Sequence, residues 1–198
     1  MKAEERRQQI IESSVKLFSE RGYYQTHVED VIKEARVGKG TFYRHFKNKE
    51  ELFIALLLHF LSEWEKAASI SPEKITGEDI HEQFKSLIKK SFIFFRDNEA
   101  LCNIYLRVGP GLSNMFEPYM RRFEEKMLNY IMAYLNEAVR VGYFASMDVE
   151  LVSNMLAGAF LRLDYYYFVL KKISGKAPDI NRLTEGFFRL ITDALRRR

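Results

Sequence analysis

Five side chains between positions 39 and 45 concentrate the hydrogen-bonding chemistry of this chain: Lys39, Thr41, Tyr43, Arg44 and His45. All five can bond a phosphate oxygen or a base edge. Arg44 carries the forked donors that match the O6 and N7 acceptors of guanine. Gly40, inside the cluster, lets a backbone and a groove wall approach closely. Catalytic chemistry has no comparable concentration. No GxSxG, HExxH, P-loop or dinucleotide fingerprint occurs. The four histidines, His27, His45, His59 and His81, show no metal-ligand spacing with the lone Cys102. The expectation is a protein that is not an enzyme, with no catalytic residues, metal site or cofactor.

Two short helices must position that cluster. Thr26 can cap the first of them, and Glu29, three residues on, completes a capping box. Val28, Val31, Ile32 and Ala35 form one apolar stripe at helical spacing. Val37-Gly38 breaks the pattern, and Lys39 to Phe46 reads as the second helix, with Phe42 and Phe46 on its buried face. This is the layout of a helix-turn-helix, whose second helix enters the DNA major groove. Asn48 can cap a long fourth helix that has Glu50 and Glu51 in its first turn.

The wider chain reads as all-α, nine helices with no strands. The first helix runs from about Ala3 to Glu20 and stops at Gly22, and the fourth reaches about Ser69. Ile70 to Asp79 is a loop, followed by helices over about 80–96 and 100–108. The GPG at Gly109 to Gly111 stops the sixth helix. The seventh spans about Ser113 to Val141, and the eighth, capped by Asp148, runs to about Lys172. A turn at Ser174 to Asp179 precedes the ninth. The expected division is a DNA-binding domain at 1–49 and a ligand-binding and dimerisation domain at 50–198, with the fourth helix shared between them.

Charge distribution agrees with that division. Residues 1–49 hold eleven Lys/Arg and seven Asp/Glu, whereas residues 50–198 hold twenty of each, so the whole net charge of +4 sits on the first segment. Such an asymmetry suits a nucleic-acid surface joined to a neutral body, although four charges can also fall so by chance. One cysteine suits a reducing compartment. The start, MKAEERRQQII, enters a charged helix directly, and no window approaches the ~18 apolar residues of a membrane span. A cytoplasmic location and no membrane partner are expected.

The amino-terminal quarter resembles the TetR (tetracycline-repressor) family of bacterial transcription regulators. Ile10, Ile11, Ser14, Val15, Leu17 and Phe18 before Arg21-Gly22-Tyr23 are similar to the family's first helix and its glycine stop. GKGTFYRHFKNKEELF, Gly38 to Phe53, is similar to its recognition helix and the start of its fourth helix. By position, the resemblance implies that Lys39, Gly40 and Thr41 meet base edges and that Tyr43, His45 and Lys49 meet phosphates. It implies that Thr26 presents its hydroxyl or amide to phosphate. Two positions depart from the family's habit. Arg36 stands where Gly is frequent, so left-handed backbone or an altered turn is expected there. Gly38 stands where a capping Ser or Thr is frequent, so one DNA contact is expected to be lost there, with Arg36 reaching the DNA backbone in compensation. The resemblance further implies a homodimer that binds a palindromic double-stranded DNA operator as a repressor and is released by a small-molecule effector.

The remaining 149 residues, 50–198, are expected to dimerise and to hold that effector. Val152, Met155, Leu156, Ala159 and Leu163 form a stripe on the eighth helix, and Leu183, Phe187, Leu190, Ile191 and Leu195 one on the ninth. Each could be a dimer face or an internal core. Aromatic residues crowd the fifth to eighth helices, and Phe92, Phe94 and Phe95 cannot all face one core. Candidate ligand residues are Phe84, Phe92, Tyr105, Arg107, Phe123, Tyr130, Arg162 and Tyr166. Arg162 and Asp164, inside an apolar run, could anchor a polar group or pair across a dimer interface. A fatty-acyl or aromatic effector fits this composition. A ligand carrier without a DNA role would explain the aromatic body but not the basic head.

Overall fold

Helix signals in the sequence become nine α-helices among the described residues of the computed structural model, which are 3–68, 72–77, 79–112, 114–170 and 178–196. They are α1 Ala3–Arg21, α2 Val28–Glu34, α3 Lys39–His45, α4 Lys49–Ala68, α5 Ile80–Asp97, α6 Glu99–Asn103, α7 Glu117–Arg140, α8 Val149–Asp164 and α9 Ile180–Leu195. The fold is all-α. Among the described residues the only extended pairing is one isolated bridge, Phe144 with Arg196. The expected ends of α4 at Ser69 and α8 at Lys172, the start of α7 at Ser113 and most of the 174–179 turn lie outside the described residues.

Local chemistry sets most boundaries. Gly22 ends α1 at φ +77, and Gly142 follows α7 at φ +83, in the region glycine enters freely. The Asn48 side chain accepts from Glu51 N–H at 2.8 Å, opening α4. Asp148 and Asp179 do the same for α8 and α9, at 3.0 and 3.1 Å.

Two helices widen into π-turns, which periodicity does not encode. After α6 the chain forms a π-segment, Ile104–Val108, and then a 3-10 turn over the GPG. After α8 a second π-segment spans Tyr165–Leu170. The two π-segments pack on each other, and the first also packs on α1. Gly109 lies where any Cβ would meet the Met120 thioether at 2.6 Å.

One hydrophobic cluster runs from head to body. The Phe116 ring closes a triangle with Tyr23 and Phe53, at 5.1 and 5.0 Å, so the amino-terminal helices share a core with the carboxy-terminal body. Helix α5 packs against α4, α7 and α9. This central position corrects an expectation: Phe92, Phe94 and Phe95 are all buried. Neighbours on several sides of the helix, rather than one core face, receive them; Phe94 meets Phe60 and Phe92 meets Phe160.

Candidate nucleic-acid interface and inner chamber

The α2–α3 unit is held by its buried side. Val31, Ala35, Phe42 and Phe46 are buried, and the Gln9 amide of α1 donates to the Ala35 carbonyl at 3.1 Å. The cap of α2 differs from the expected one. His27 occupies the N-cap position, with its N–H donating to the Asp30 carboxylate at 3.3 Å. Thr26 is fully buried instead. Its hydroxyl donates to Gly22 O at 2.7 Å, and its amide faces Tyr23 O at 3.4 Å. Both groups expected to present themselves to phosphate are therefore spent inside the head.

Arg36 adopts φ +51, the one positive φ at a non-glycine among the described residues. The turn keeps the geometry glycine would favour and holds an arginine in it. Gly38 is the extended N-cap of α3 and supplies no side-chain bond.

Beyond the turn, Lys39, Gly40, Tyr43 and Arg44 are exposed and Thr41 is half-buried. His45 is turned partly inward, with its Nε2 enclosed and unpartnered. Arg36, Gly38, Thr41 and Arg44 line an open concavity of about 560 Å³ together with Arg6 of α1. Arg6 is a cation that reading the motif alone overlooked; only the fold brings it beside the recognition helix. Tyr24, two-thirds exposed at 66%, was overlooked in the same way.

Lys49 also differs from expectation. Its ammonium donates to the carbonyls of Tyr23 at 2.8 Å and Thr26 at 3.0 Å, and sits over the Tyr23 ring at 4.4 Å. Partial burial pulls its pKa below the ordinary lysine value. The group ties α4 to the α1–α2 turn and is not displayed as a free phosphate ligand.

In the body, an apolar cavity of about 30 Å³ opens among α4, α5, α7, α8 and α9. Its walls include Trp64, Phe84, Ser91, Tyr130, Phe160 and Phe187. Trp64 Nε1–H donates to Ser91 Oγ at 3.2 Å, so that buried polar pair is mutually satisfied. The space holds about one water-sized group, and a larger guest must displace side chains.

Of the eight candidate ligand residues, Phe84 and Tyr130 line this chamber. Phe92 and Phe123 form a second layer, against Phe160 at 4.8 Å and Trp64 at 5.0 Å. Tyr105 stacks on Phe60 and gives its hydroxyl to Met120 O at 2.7 Å. Arg107 lies outside, on a polar groove between α1 and α6. Arg162 and Tyr166 are exposed on the outer face of α8 and its π-extension. Those three do not join the chamber, because helical phase turns them away from it. Trp64, Phe160 and Phe187 were missed as chamber residues, since each reads in sequence as ordinary core or helix-face stripe.

The outer face carries its own pattern. Leu151, Met155 and Tyr166 on α8 and its π-extension, and Leu190 on α9, are exposed large apolar side chains. Gly158 lies in the same α8 stripe, exposed and with open space around it. Leu183, Phe187 and Ile191, expected on a stripe that could dimerise, are buried within this chain's own core.

Comparison with known proteins gives the same outline. The model of the family described as bacterial regulatory proteins, tetR family, matches residues 10–56. The HTH-type transcriptional regulator YhgD of Bacillus subtilis is 27% identical over 183 residues, covering 91% of this chain and 90% of its own. The fatty acid metabolism regulator protein of Bacillus subtilis is 29% identical over 153 residues, 76% of this chain and 77% of its own. The Bacillus subtilis regulator FadR, solved with stearoyl-CoA, superposes with a TM-score of 0.74 at 22% identity, covering 95% of this chain and 98% of its own. At that identity the likeness is one of fold.

Proposed function

The chain belongs to the TetR family of bacterial transcriptional regulators, and from that premise we propose that it is a dimeric repressor released from a palindromic operator by a small apolar or amphipathic effector. Members of this family are regulators and not enzymes. Among the described residues no helix is long and apolar enough to cross a membrane. The cytoplasm, where operator DNA lies, is the proposed location.

One observation carries the reading. Helix α4 holds Lys49 against the DNA-binding head at one end and Trp64 in the chamber wall near the other. Fifteen residues of α-helix separate them, about 22 Å at 1.5 Å per residue. A guest that displaces Trp64 therefore acts on the rod that seats the head. In a dimer the two recognition helices must meet successive major grooves roughly 34–36 Å apart, so a small tilt of α4 changes the fit. Arg44, Lys39, Thr41 and Tyr43 are the proposed DNA contacts, with Arg6 and Arg36 holding phosphates at the edge. The hydrocarbon part of the effector, fatty-acyl or aromatic, fills the chamber. The likeness to a fatty acid metabolism regulator supports that class.

Release is a matter of differential affinity for two arrangements. A hundredfold loss of operator affinity requires about 2.7 kcal/mol of coupling, and the same factor must weaken effector binding when operator is present. Trp64 is the one tryptophan of the chain and lines the chamber, so its emission reports on occupancy. Titrating the full-length protein with acyl and aromatic compounds should perturb Trp64 fluorescence and lower operator affinity over one concentration range. Compounds that perturb Trp64 at saturation yet all leave operator affinity unchanged would remove the release mechanism.

A further inference from the structure

We propose that Asp164 is the polar anchor of the chamber and that the effector meets it with a basic amine; this rests on the chamber being the effector site.

Asp164 is fully buried, at 0% exposure, and neither carboxyl oxygen has a hydrogen-bond partner among the described residues. It lies one turn beyond Phe160, which lines the chamber, and one turn before Phe168. At i, i+4 spacing Asp164 lies on the same face of α8 as Phe160, one turn further along. Phe92 reaches both flanking rings, at 4.8 Å from Phe160 and 6.5 Å from Phe168. Phe95 does the same, at 6.1 and 6.5 Å. Phe92, Phe95, Phe160 and Phe168 thus form one aromatic cluster along this stretch of α8 and its π-extension. Cys102, the neighbouring polar group on α6, spends its thiol on Phe95 O at 3.4 Å. Arg162, two residues away in sequence, is on the outer surface over the Tyr165 ring at 5.8 Å and does not neutralise it. The helix changes from α to π at the next residue, Tyr165, and such turns recur at functional sites.

A buried carboxyl with no partner is costly, which is why such groups are ordinarily paired. Burial pushes Asp164 well above the usual carboxylate range and so favours its protonated form. That state suits one class of guest. An amine that leaves its proton in the solvent on entry meets an uncharged acid, and neither then brings the desolvation cost of an isolated ion. The acid O–H donates to the amine nitrogen, and the proton passes across to give an ammonium beside a carboxylate. Both oxygens then have donors, and the phenylalanine faces accept the cation. An alcohol can offer one donor only. A carboxylate would meet like chemistry and unfavourable aromatic faces.

The test uses the full-length protein and three probes of equal chain length: n-decylamine, n-decanol and decanoic acid, followed by Trp64 fluorescence and calorimetry. Decylamine should bind at least tenfold more tightly than decanol, and Asp164→Asn, which has the same shape and no acidic proton, should erase that preference while melting no lower than the parent. If the three probes bind alike, or the preference survives Asp164→Asn, the proposal is overturned. Should Asp164→Asn fail to fold, the amine-to-alcohol ratio of the parent protein decides alone. If none of the probes binds, the chamber reading falls with it. If decanol or decanoic acid binds and decylamine binds no better, only the amine anchor falls.

Discussion

Lys49 and Tyr23 are joined twice, by a 2.8 Å hydrogen bond from the ammonium to the tyrosine carbonyl and by the same ammonium lying 4.4 Å above the ring. The lysine is a staple between α4 and the turn that leads into α2. Replacing it with methionine should lower the stability of the DNA-free protein by about 1–2 kcal/mol, since hydrogen bonds to charged groups are worth more than neutral ones. Operator affinity should fall through lost positioning, with the slope of log K against log salt unchanged. A direct phosphate contact would instead reduce that slope by about one. Thermal unfolding and binding over a range of salt distinguish the two.

Arg36 stands at φ +51, where a side chain costs roughly 1–2 kcal/mol relative to ordinary backbone. Arg36→Gly should raise the melting temperature and weaken operator binding, because the proposed phosphate-edge cation is lost while the turn relaxes. Arg36→Ala should weaken binding without the gain in stability.

Arg44 is exposed beside Thr41 on the recognition helix. Arg44→Ala should cost about 1–3 kcal/mol at one base pair and relax specificity there. Binding to a set of single-pair operator variants checks this. A uniform loss across all variants would make Arg44 a phosphate ligand.

Met155 and Leu190 are 65% and 61% exposed on α8 and α9. We propose this exposed apolar face of α8 and α9 as the dimer interface, so Met155→Glu and Leu190→Glu should each give folded monomers in sedimentation, because a charge would be buried unpaired there. Phe187→Glu should unfold the protein instead, since that ring is core. A Met155→Glu, Leu190→Glu double variant that stayed dimeric would exclude this face.

Glu137 accepts two bonds from Arg140, at 2.6 and 2.7 Å, and one from Gly77 N–H at 3.0 Å. These donors hold its pKa at about 2, against 4.5 ordinarily. Because the folded value is the lower one, the stabilisation is complete above about 4.5 and is lost as pH falls towards about 2. The parent protein should therefore lose more stability than Glu137→Gln across that window, as thermal unfolding against pH would show.

The amino-terminal unit was legible in the sequence because its determinants are local. Glycine at position 22, a break at Val37-Gly38 and two phenylalanines four apart each act within a turn or two of chain. Helix starts at Asn48, Asp148 and Asp179 obey the same logic, since a cap reads only its next three residues. What each polar group does was decided by tertiary packing. Thr26 and Lys49 both read as phosphate ligands, yet the fold turns one inward and commits the other to backbone carbonyls 23 and 26 residues away in sequence. The chamber shows the same division. Aromatic abundance is a property of composition, but whether Phe84 lines a cavity and Tyr166 faces outward depends on helical phase and on what packs opposite. Two π-turns, at Ile104–Val108 and Tyr165–Leu170, alter that phase where no residue pattern announces it. Asp164 ends α8 just before the second turn, an acid whose burial without a hydrogen-bond partner among the described residues no local pattern announces.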